Sequence, residues 1–499
     1  MELAQAIEKL SALQRKISAY NHAMGVLYYD GATAAPAGSA QNRGETMSIL
    51  SEAEYLMATG EETVELLDFL YAHNDKLTAK QQRIVEIMRK DLEEMRCIPQ
   101  EEYVAASKLM AESTAAWHEA KPKSDFSIFA PYLEKVIETK KRFARYVKPD
   151  MDPYAYYLDL FEPGLTPEKC DEFFAALRAR VVPLLRRVQA AKQVDASFLT
   201  GDFPLEAQRK LSDRLMEALR IDRNHCAIGE TEHPFTTNFT KQDVRITTHY
   251  YPDNAVSSMY SVIHEGGHAL YELHTADEDM YNGLGGGVSM GVHESQSRFY
   301  ENIIGRSRGF VAFIAPQLRE LFPEKLGGVS DDALYRAVNR CEASLVRTEA
   351  DELTYSLHIM VRYEIEKQLF ADKLTVAEIP QEWNRLYQQY LGVTPSCDRE
   401  GCLQDSHWSD GSFGYFPSYA LGSAYGAQML ARMRETVDVE ACEKTGNLAP
   451  VNDWLCENIW QYGCLYKPAQ LLERVFKAPF DPNYYLDYLE AKFTEIYGL

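Results

Sequence analysis

No stretch of this chain approaches 18 uninterrupted apolar residues, so the sequence predicts no membrane-spanning helix. It also lacks a basic excess. Its 52 Lys and Arg face 74 Asp and Glu, a net charge of −22, which argues against nucleic acid and anionic membrane as partners because both carry dense negative charge. The same imbalance favours solubility and cationic ligands. The opening residues MELAQAIEKL read as an acidic amphipathic helix, with no basic start followed by an apolar run, so no secretory signal is expected there. Cysteines are few and odd in number, nine between Cys97 and Cys464, which fits reduced thiols in the cytoplasm better than a disulfide framework. Cys397 and Cys402 have a C-x4-C spacing, but no companion Cys or His pair lies nearby, so they read as plain thiols. There is no internal repeat, low-complexity tract or long flexible linker. The glycine-rich stretch Gly283–Gly291 lacks the GKS/T ending of a phosphate loop, and its expected role is to join two helices of one site.

What is present is mostly helical. Apolar residues recur at spacings of three and four through 2–20, 43–58, 79–96, 100–119, 126–147, 166–192 and 205–219. Helices are expected again from 253 almost to Leu499, broken near Gly283–Gly291, Pro323, Pro380, Pro395, Gly411–Gly414 and Pro479. One region departs from this pattern. Residues 233–239 and 243–250 read as two strands joined by a short turn. In the second, Val244, Ile246, Thr248 and Tyr250 share one face, and Asp243, Arg245, Thr247 and His249 the other. So polar a face suits the wall of a cleft, where an exposed edge could pair with an extended peptide. A length of 499 residues permits several domains, but with no linker the expectation is one catalytic domain spanning 1–499.

Histidine is scarce, 12 in all, yet two fall in one HExxH pentapeptide, His264-Glu265-Gly266-Gly267-His268. On a helix, positions four apart lie about 40° apart around the axis, so both imidazoles look the same way. Two neutral imidazoles on one face can hold Zn²⁺, and the glutamate between them can reach a metal-activated water. The surrounding residues 255–263 and 269–271 are apolar on most of the circumference, which predicts a buried helix, started by Asp253 or Asn254. Burying these three groups without partners would be costly, and a metal removes that cost. Gly266 and Gly267 each cost roughly 1 kcal/mol against alanine in a helix, so something is expected to approach the backbone closely there.

A catalytic zinc usually takes three protein ligands and keeps a fourth position open. The third should come from a downstream helix. Glu294, in His293-Glu294-Ser295-Gln296, is the first choice, with His293, Glu301 and Asp277 as rivals that spacing cannot separate. Glu294 could instead form an i,i+4 ion pair with Arg298. Glu265 is the expected general base. Glu272 could orient a ligand, although an ordinary helix-surface carboxylate is the favoured reading for it. Together these residues point to a metal-dependent hydrolase.

The ordered motifs then carry a specific resemblance. The chain holds HPF at His233–Phe235, DxRxT at Asp243, Arg245 and Thr247, HExxH at His264–His268, and HES/GQ at His293–Gln296. Further on come RxxAD at Arg347–Asp351 and GxxQDxHW at Gly401, Gln404, Asp405, His407 and Trp408. HExxH alone is common to many hydrolases; the six in this order resemble the carboxypeptidase Taq family of metallocarboxypeptidases. Val346 stands where that family has Ile or Leu, a small apolar exchange. The resemblance implies ligands His264, His268 and Glu294, with Glu265 as general base, in a Zn²⁺- or Co²⁺-dependent enzyme. Such an enzyme releases single residues from peptide C-termini with broad preference. It also implies a mainly helical, saddle-shaped, neurolysin-like homodimer with a deep groove and a small β-hairpin or sheet near the active site.

A carboxypeptidase needs a cation for the substrate's terminal carboxylate, and Arg347 and Arg245 are the candidates. Arg347 is preferred because a helix wall is a firmer mount than a hairpin, although it could also pair with Asp351. Asp405 and His407 suit a polar wall near the metal, and His233 is a further substrate-binding candidate. Tyr415 and Tyr419 are candidates for oxyanion stabilisation or substrate positioning, or else pack around Pro417. The expected partners are peptides with a free C-terminus. The alternatives are a metalloendopeptidase or dipeptidase on the same scaffold and, from another class, a non-catalytic peptide-binding scaffold.

Overall fold

A computed structural model describes residues 2–499. The N-terminal part is a succession of helices: α1 (Leu3–Thr33), α2 (Ala40–Thr59), α3 (Glu61–Ala72), α4 (Ala79–Cys97), α5 (Gln100–Lys123), α6 (Phe126–Val147), α7 (Pro153–Phe161), α8 (Pro167–Ala190) and α9 (Leu205–Ala218). Three strands follow, β1 (Cys226–Glu230), β2 (Thr236–Thr240) and β3 (Asp243–Thr248). Next come α10 (Ala255–Leu273) and α11 (Met290–Arg298), the latter running into a π-helical turn at Phe299–Ile304. The remainder is α12 (Arg308–Leu321), α13 (Pro323–Leu326), α14 (Asp331–Val338), α15 (Glu352–Phe370), α16 (Ile379–Tyr390), α17 (Phe416–Met433), α18 (Val439–Thr445), α19 (Ala449–Asn458), α20 (Pro468–Phe476) and α21 (Asn483–Tyr497). With 69% of residues helical and 4% in strands, the molecule is mainly α with one small sheet, as expected.

The strand order is β1-β3-β2, with β1 parallel and β2 antiparallel to β3. The expected hairpin is therefore there, but β1 was not anticipated: Cys226-Ala-Ile-Gly-Glu230 is short, carries a glycine and lacks clear alternation. Val244, Ile246 and Thr248 are buried as expected. Thr247, on the face read as polar and open, is fully buried too. Its hydroxyl accepts from the Phe235 N–H at 2.8 Å and donates to the Phe235 carbonyl at 3.1 Å, pinning the HPF segment to β3.

Two more helices, α3 and α7, fall outside the expected set, and α1 runs to Thr33 rather than residue 20. The main core joins α5 through α21, with α15 at its centre, buried on nearly every side. A smaller apolar cluster unites α1, α3 and α4 through Leu10, Leu67, Leu70 and Val85, and Leu284 of the glycine-rich segment reaches into it. That segment thus links the N-terminal helices to α10 and α11, the two helices it was expected to join.

The start signal read for α10 is used. Asn254 caps α10, accepting from Ser257 N–H at 3.2 Å, and Ser289 caps α11, accepting from Val292 N–H at 3.2 Å. At Gly267 a Cβ would lie 2.6 Å from the Gln296 carbonyl oxygen and 2.7 Å from Ser297 Cα, so the feature that approaches this glycine is the backbone of α11. On the other flank of α11, a Cβ at Gly422 of α17 would lie 2.8 Å from both Cβ and Cγ of Glu294. Helix α11 is clamped between two glycines, and Glu294 is set down between α10 and α17 as a result.

Candidate metal centre

His264, His268 and Glu294 come together: one nitrogen from each imidazole and one carboxylate oxygen all lie within 4.8 Å of one another. Glu294 Oε2 is 3.4 Å from His268 Nε2 and 3.9 Å from His264 Nε2. Ligands about 2.0–2.1 Å from a tetrahedral ion sit about 3.3 Å apart, so the spacing is close to what zinc requires. The donor set, two imidazoles and a carboxylate, is chemically suited to it.

The outer nitrogens define which nitrogen of each ring is free. His264 Nδ1 donates to Glu301 Oε2 at 2.9 Å, which leaves Nε2 as a lone pair aimed inward. At His268 the partner is another imidazole: Nδ1 lies 2.6 Å from His293 Nδ1, while His293 Nε2 meets Glu272 Oε1 at 2.7 Å. Glu272 is acceptor-only when ionised, so His293 donates to it from Nε2 and accepts from His268 at Nδ1. His268 then also presents Nε2 as a lone pair. Glu272 is buried and additionally accepts from Asn238 Nδ2 at 2.6 Å and Gly287 N–H at 3.1 Å. The surface reading favoured for it from sequence is therefore wrong. Of the rivals for third ligand, His293 and Glu301 orient the imidazoles from behind, and Asp277 lies apart, bonded to Lys241.

The electrostatics follow this arrangement. Burial lowers the His268 pKa to about 3, and the neighbouring imidazoles push the same way. Burial acts likewise on His264, but the carboxylates of Glu294, Glu301 and Glu265 outweigh it and raise its pKa. Glu294 is held well below the usual carboxylate range: burial opposes this, but Arg298 and His264 prevail. Arg298 Nε donates to Glu294 Oε1 at 2.7 Å and Nη1 to Glu301 Oε2 at 3.1 Å. The Glu294–Arg298 ion pair and the position beside the imidazoles are thus compatible, since the two carboxylate oxygens divide the work. Glu265 is buried, with its pKa raised mainly by burial, and Thr236 Oγ1 of β2 donates to its Oε2 at 2.6 Å.

The Arg347 region differs from expectation. Arg347 stands on a single 3₁₀ turn, Arg347–Glu349, rather than on a helix wall, and it does not pair with Asp351. Asp351 instead caps α15, accepting from the N–H groups of Leu353 and Thr354. Arg347 donates from Nε (3.0 Å) and Nη2 (2.7 Å) to Asp405 Oδ1, and from Nη1 to the Tyr355 hydroxyl at 3.1 Å. Asp405 also takes a 2.6 Å bond from Arg362 Nε, so it anchors two buried arginines, and they hold its pKa far down against burial. Arg298 lies 4.0 Å from the Tyr355 ring centre. A continuous path therefore joins Glu294, Arg298, Tyr355 and Arg347.

Arg245 forks onto Asp243 with two 2.9 Å bonds and lies between the rings of Tyr29 and Phe239. His233 is exposed in the loop entering β2. His407, Tyr415 and Tyr419 cluster on the Arg347 side. His407 Nε2 is 3.4 Å from the Tyr419 hydroxyl, and the Arg347 guanidinium is 5.1 Å from the Tyr419 ring. Burial lowers the His407 pKa to about 4, and its Nδ1 has no hydrogen-bond partner among the described residues. Arg362, Tyr355 and Thr236 were not singled out from sequence. Arg298 and Glu301, four and seven residues after Glu294, are the ion-pair partner and the rival ligand expected from sequence, and the structure makes both of them neighbours of the site; Arg362, in a helix buried almost throughout, gave no such signal.

The comparisons with known proteins agree in family. The family model described as carboxypeptidase Taq (M32) metallopeptidase matches residues 9–493. Carboxypeptidase 1 of Bacillus subtilis is 40% identical over 501 residues, covering 100% of both chains. Thermostable carboxypeptidase 1 of Pyrococcus furiosus is 33% identical, covering 98% of each. Among solved structures, the M32 carboxypeptidase from Deinococcus radiodurans R1 superposes with a TM-score of 0.97 at 36% identity, covering 99% of this chain and 100% of that one.

Proposed function

The chain belongs to the carboxypeptidase Taq family and is a metallocarboxypeptidase acting on peptides, and from that premise we propose that its ion is zinc, with cobalt able to substitute, held by His264, His268 and Glu294. The observation that carries this reading is the convergence of those three side chains with both imidazoles turned Nε2-inward. A bound divalent ion supplies Lewis acidity, drawing the pKa of a water towards about 7 and polarising the scissile carbonyl. Glu265 takes the water's proton and later delivers it to the leaving amine, with Thr236 holding its carboxylate in place. Tyr419 and His407 are donors for the developing oxyanion, and Tyr415 packs edge-on to Tyr419 to position it.

Arg347 receives the terminal carboxylate of the substrate. Its buried position on the path to Glu294 supports it over Arg245, which is enclosed by Tyr29, Phe239 and Asp243. Asp405 fixes the orientation of Arg347, and His233, exposed in the loop entering β2, is a further contact for the peptide. The product is a single residue released from each C-terminus, over a broad range of sequences. The whole of 1–499 acts as one catalytic unit. Nine free cysteines support a reducing, cytoplasmic setting, and no helix among the described residues is long and apolar enough to cross a membrane. A homodimer is the expected assembly, to be checked by light scattering.

The test is digestion of a mixed peptide pool by purified protein, followed by mass spectrometry. Ladders that shorten one residue at a time from the C-terminus are expected, abolished by a chelator and restored by Zn²⁺ or Co²⁺. Amidated peptides should resist, and Arg347→Ala should erase most of that discrimination. Internal cleavage would support an endopeptidase instead.

A further inference from the structure

A cavity of about 410 Å³ is lined by Glu272, which connects to the metal centre through His293 and His268. Along α10 the order is His264, His268, Glu272. Arg298 and Glu301 sit against the His264 end and lead through Tyr355 to Arg347. Glu272, about 6 Å further along the axis from His268 at 1.5 Å per residue, lines the cavity. A carboxypeptidase keeps one residue on the carboxylate side of the scissile bond, so the rest of the peptide runs the other way. Strand β2 gives it a track. Thr236 touches Glu265, Asn238 touches Glu272, and Asn238–Lys241 line the cavity. In the order β1-β3-β2, this strand has one edge free of ladder pairing.

The lining charge is one-sided. Glu54 of α2 and Asp91 of α4 face the cavity without a salt-bridge partner among the described residues. Glu272 is committed to His293 and Asn238, and Lys241 is neutralised by Asp277. Desolvation raises the pKa of both Glu54 and Asp91, at Asp91 against the pull of Lys90 and Arg83. An independent feature points to a ligand. Gln14 of α1 is 8% exposed, lines the same cavity, and has a buried Nε2 with no partner among the described residues. A peptide carbonyl would satisfy that donor.

We propose that this cavity is an upstream subsite that selects a cationic group on the peptide, a lysine or arginine side chain or a free N-terminal ammonium, held by Glu54 and Asp91 while Gln14 donates to the peptide backbone. This rests on the carboxypeptidase reading. At about 3.3 Å per residue, the selected group lies roughly two to five residues before the scissile bond.

The probes are N-acetylated hexapeptides with a common C-terminal leucine and Lys, Gln or Glu at one upstream position at a time, plus the unblocked Gln peptides. At low ionic strength the kcat/KM ratio of Lys to Glu peptides should reach tenfold or more at one or two adjacent positions. It should fall towards unity in the Glu54→Gln/Asp91→Asn double variant and invert in Asp91→Lys. Unblocked Gln peptides that outpace their acetylated forms, at the length that brings the N-terminus to the cavity, would extend the selection to the ammonium. If they do not, selection is confined to side chains and that arm of the proposal is overturned. Because each ratio comes from one preparation, partial misfolding cancels. Gln14→Leu should slow all the peptides alike. Lys/Glu ratios within twofold at every position, or ratios unmoved in the double variant, would overturn the subsite. Failure to shorten any peptide from its C-terminus would overturn the functional reading instead.

Discussion

Glu265 sits between a hydroxyl and an imidazole: Thr236 donates to its carboxylate, and His264 opposes the burial that raises its pKa. Ligation and proton transfer are separate roles, so Glu265→Gln should bind metal as tightly as wild type and lose turnover by several powers of ten. Metal content by mass spectrometry beside single-turnover rates checks this, and substantial turnover in the loaded variant would remove Glu265 from the mechanism. His293 does different work. It touches His268 rather than the space between the ligands, and it passes the constraint on to Glu272. His293→Ala should weaken metal binding about 10–100-fold, read by chelator competition, because His268 loses the acceptor that keeps its Nε2 lone pair inward. An unchanged affinity would mean that packing alone orients His268.

The site is assembled where three helices press together. HExxH provides two ligand positions from one turn of α10, but the third depends on how close α11 can come. That closeness is set by glycines on both neighbours. Gly422→Ala would drive a methyl group into Cβ and Cγ of Glu294. It should destabilise the protein by about 1–3 kcal/mol, typical of overpacking, and should cost metal affinity as well, because the displaced methylenes carry the carboxylate. Denaturant unfolding with and without Zn²⁺ separates the two effects, and a variant with normal stability and affinity would show that α17 yields freely. The π-helical turn after α11 belongs to the same design, since it carries Glu301 back to His264.

Across the whole molecule, several buried carboxylates have pKa values raised to about 7 by burial: Glu162, Glu366 and Glu443. Glu366 is the clearest, receiving Tyr154 OH, Trp408 Nε1–H and Gly414 N–H, three donors that favour its charge without overcoming burial. A carboxyl that ionises near 4.5 unfolded and near 7 folded holds more protons when folded between those values. The stability that each such group contributes therefore falls as pH rises from about 4.5 to 7, by up to about 1.4 kcal/mol per unit, and then levels off. Buried His268 and His407, with pKa values lowered to about 3 and about 4, act in the opposite direction up to about pH 6.5, so the net slope is a balance; in metal-free protein Glu366→Gln should shift that slope in the positive direction between pH 4.5 and 7, whatever its own effect on stability. Identical slopes would assign the pH dependence to the other groups. Below pH 4 the sign reverses, because Asp405 and Glu301, held down by their arginines once burial is overcome, lose ion pairs on protonation.

The helical class, the buried α10, its Asn254 cap, the ligand-type spacing of His264 and His268, and the close approach at Gly267 were all legible in the sequence. Each is a local property, set by side-chain period, capping chemistry or the absence of a Cβ. The convergence of Glu294 on the two imidazoles was open on spacing alone, because a loop of unspecified path separates α10 from α11; motif resemblance, rather than periodicity, singled it out. The division of Glu294's two oxygens between the site and Arg298, the burial of Glu272, and the diversion of Arg347 from Asp351 to Asp405 were decided by tertiary contacts. These depend on which distant elements meet: Asp405 lies 58 residues beyond Arg347, and Glu272 and His293 belong to different helices. A charged side chain announces its chemistry in one dimension, but its partner, and hence its pKa and its role, is chosen only when the chain closes on itself.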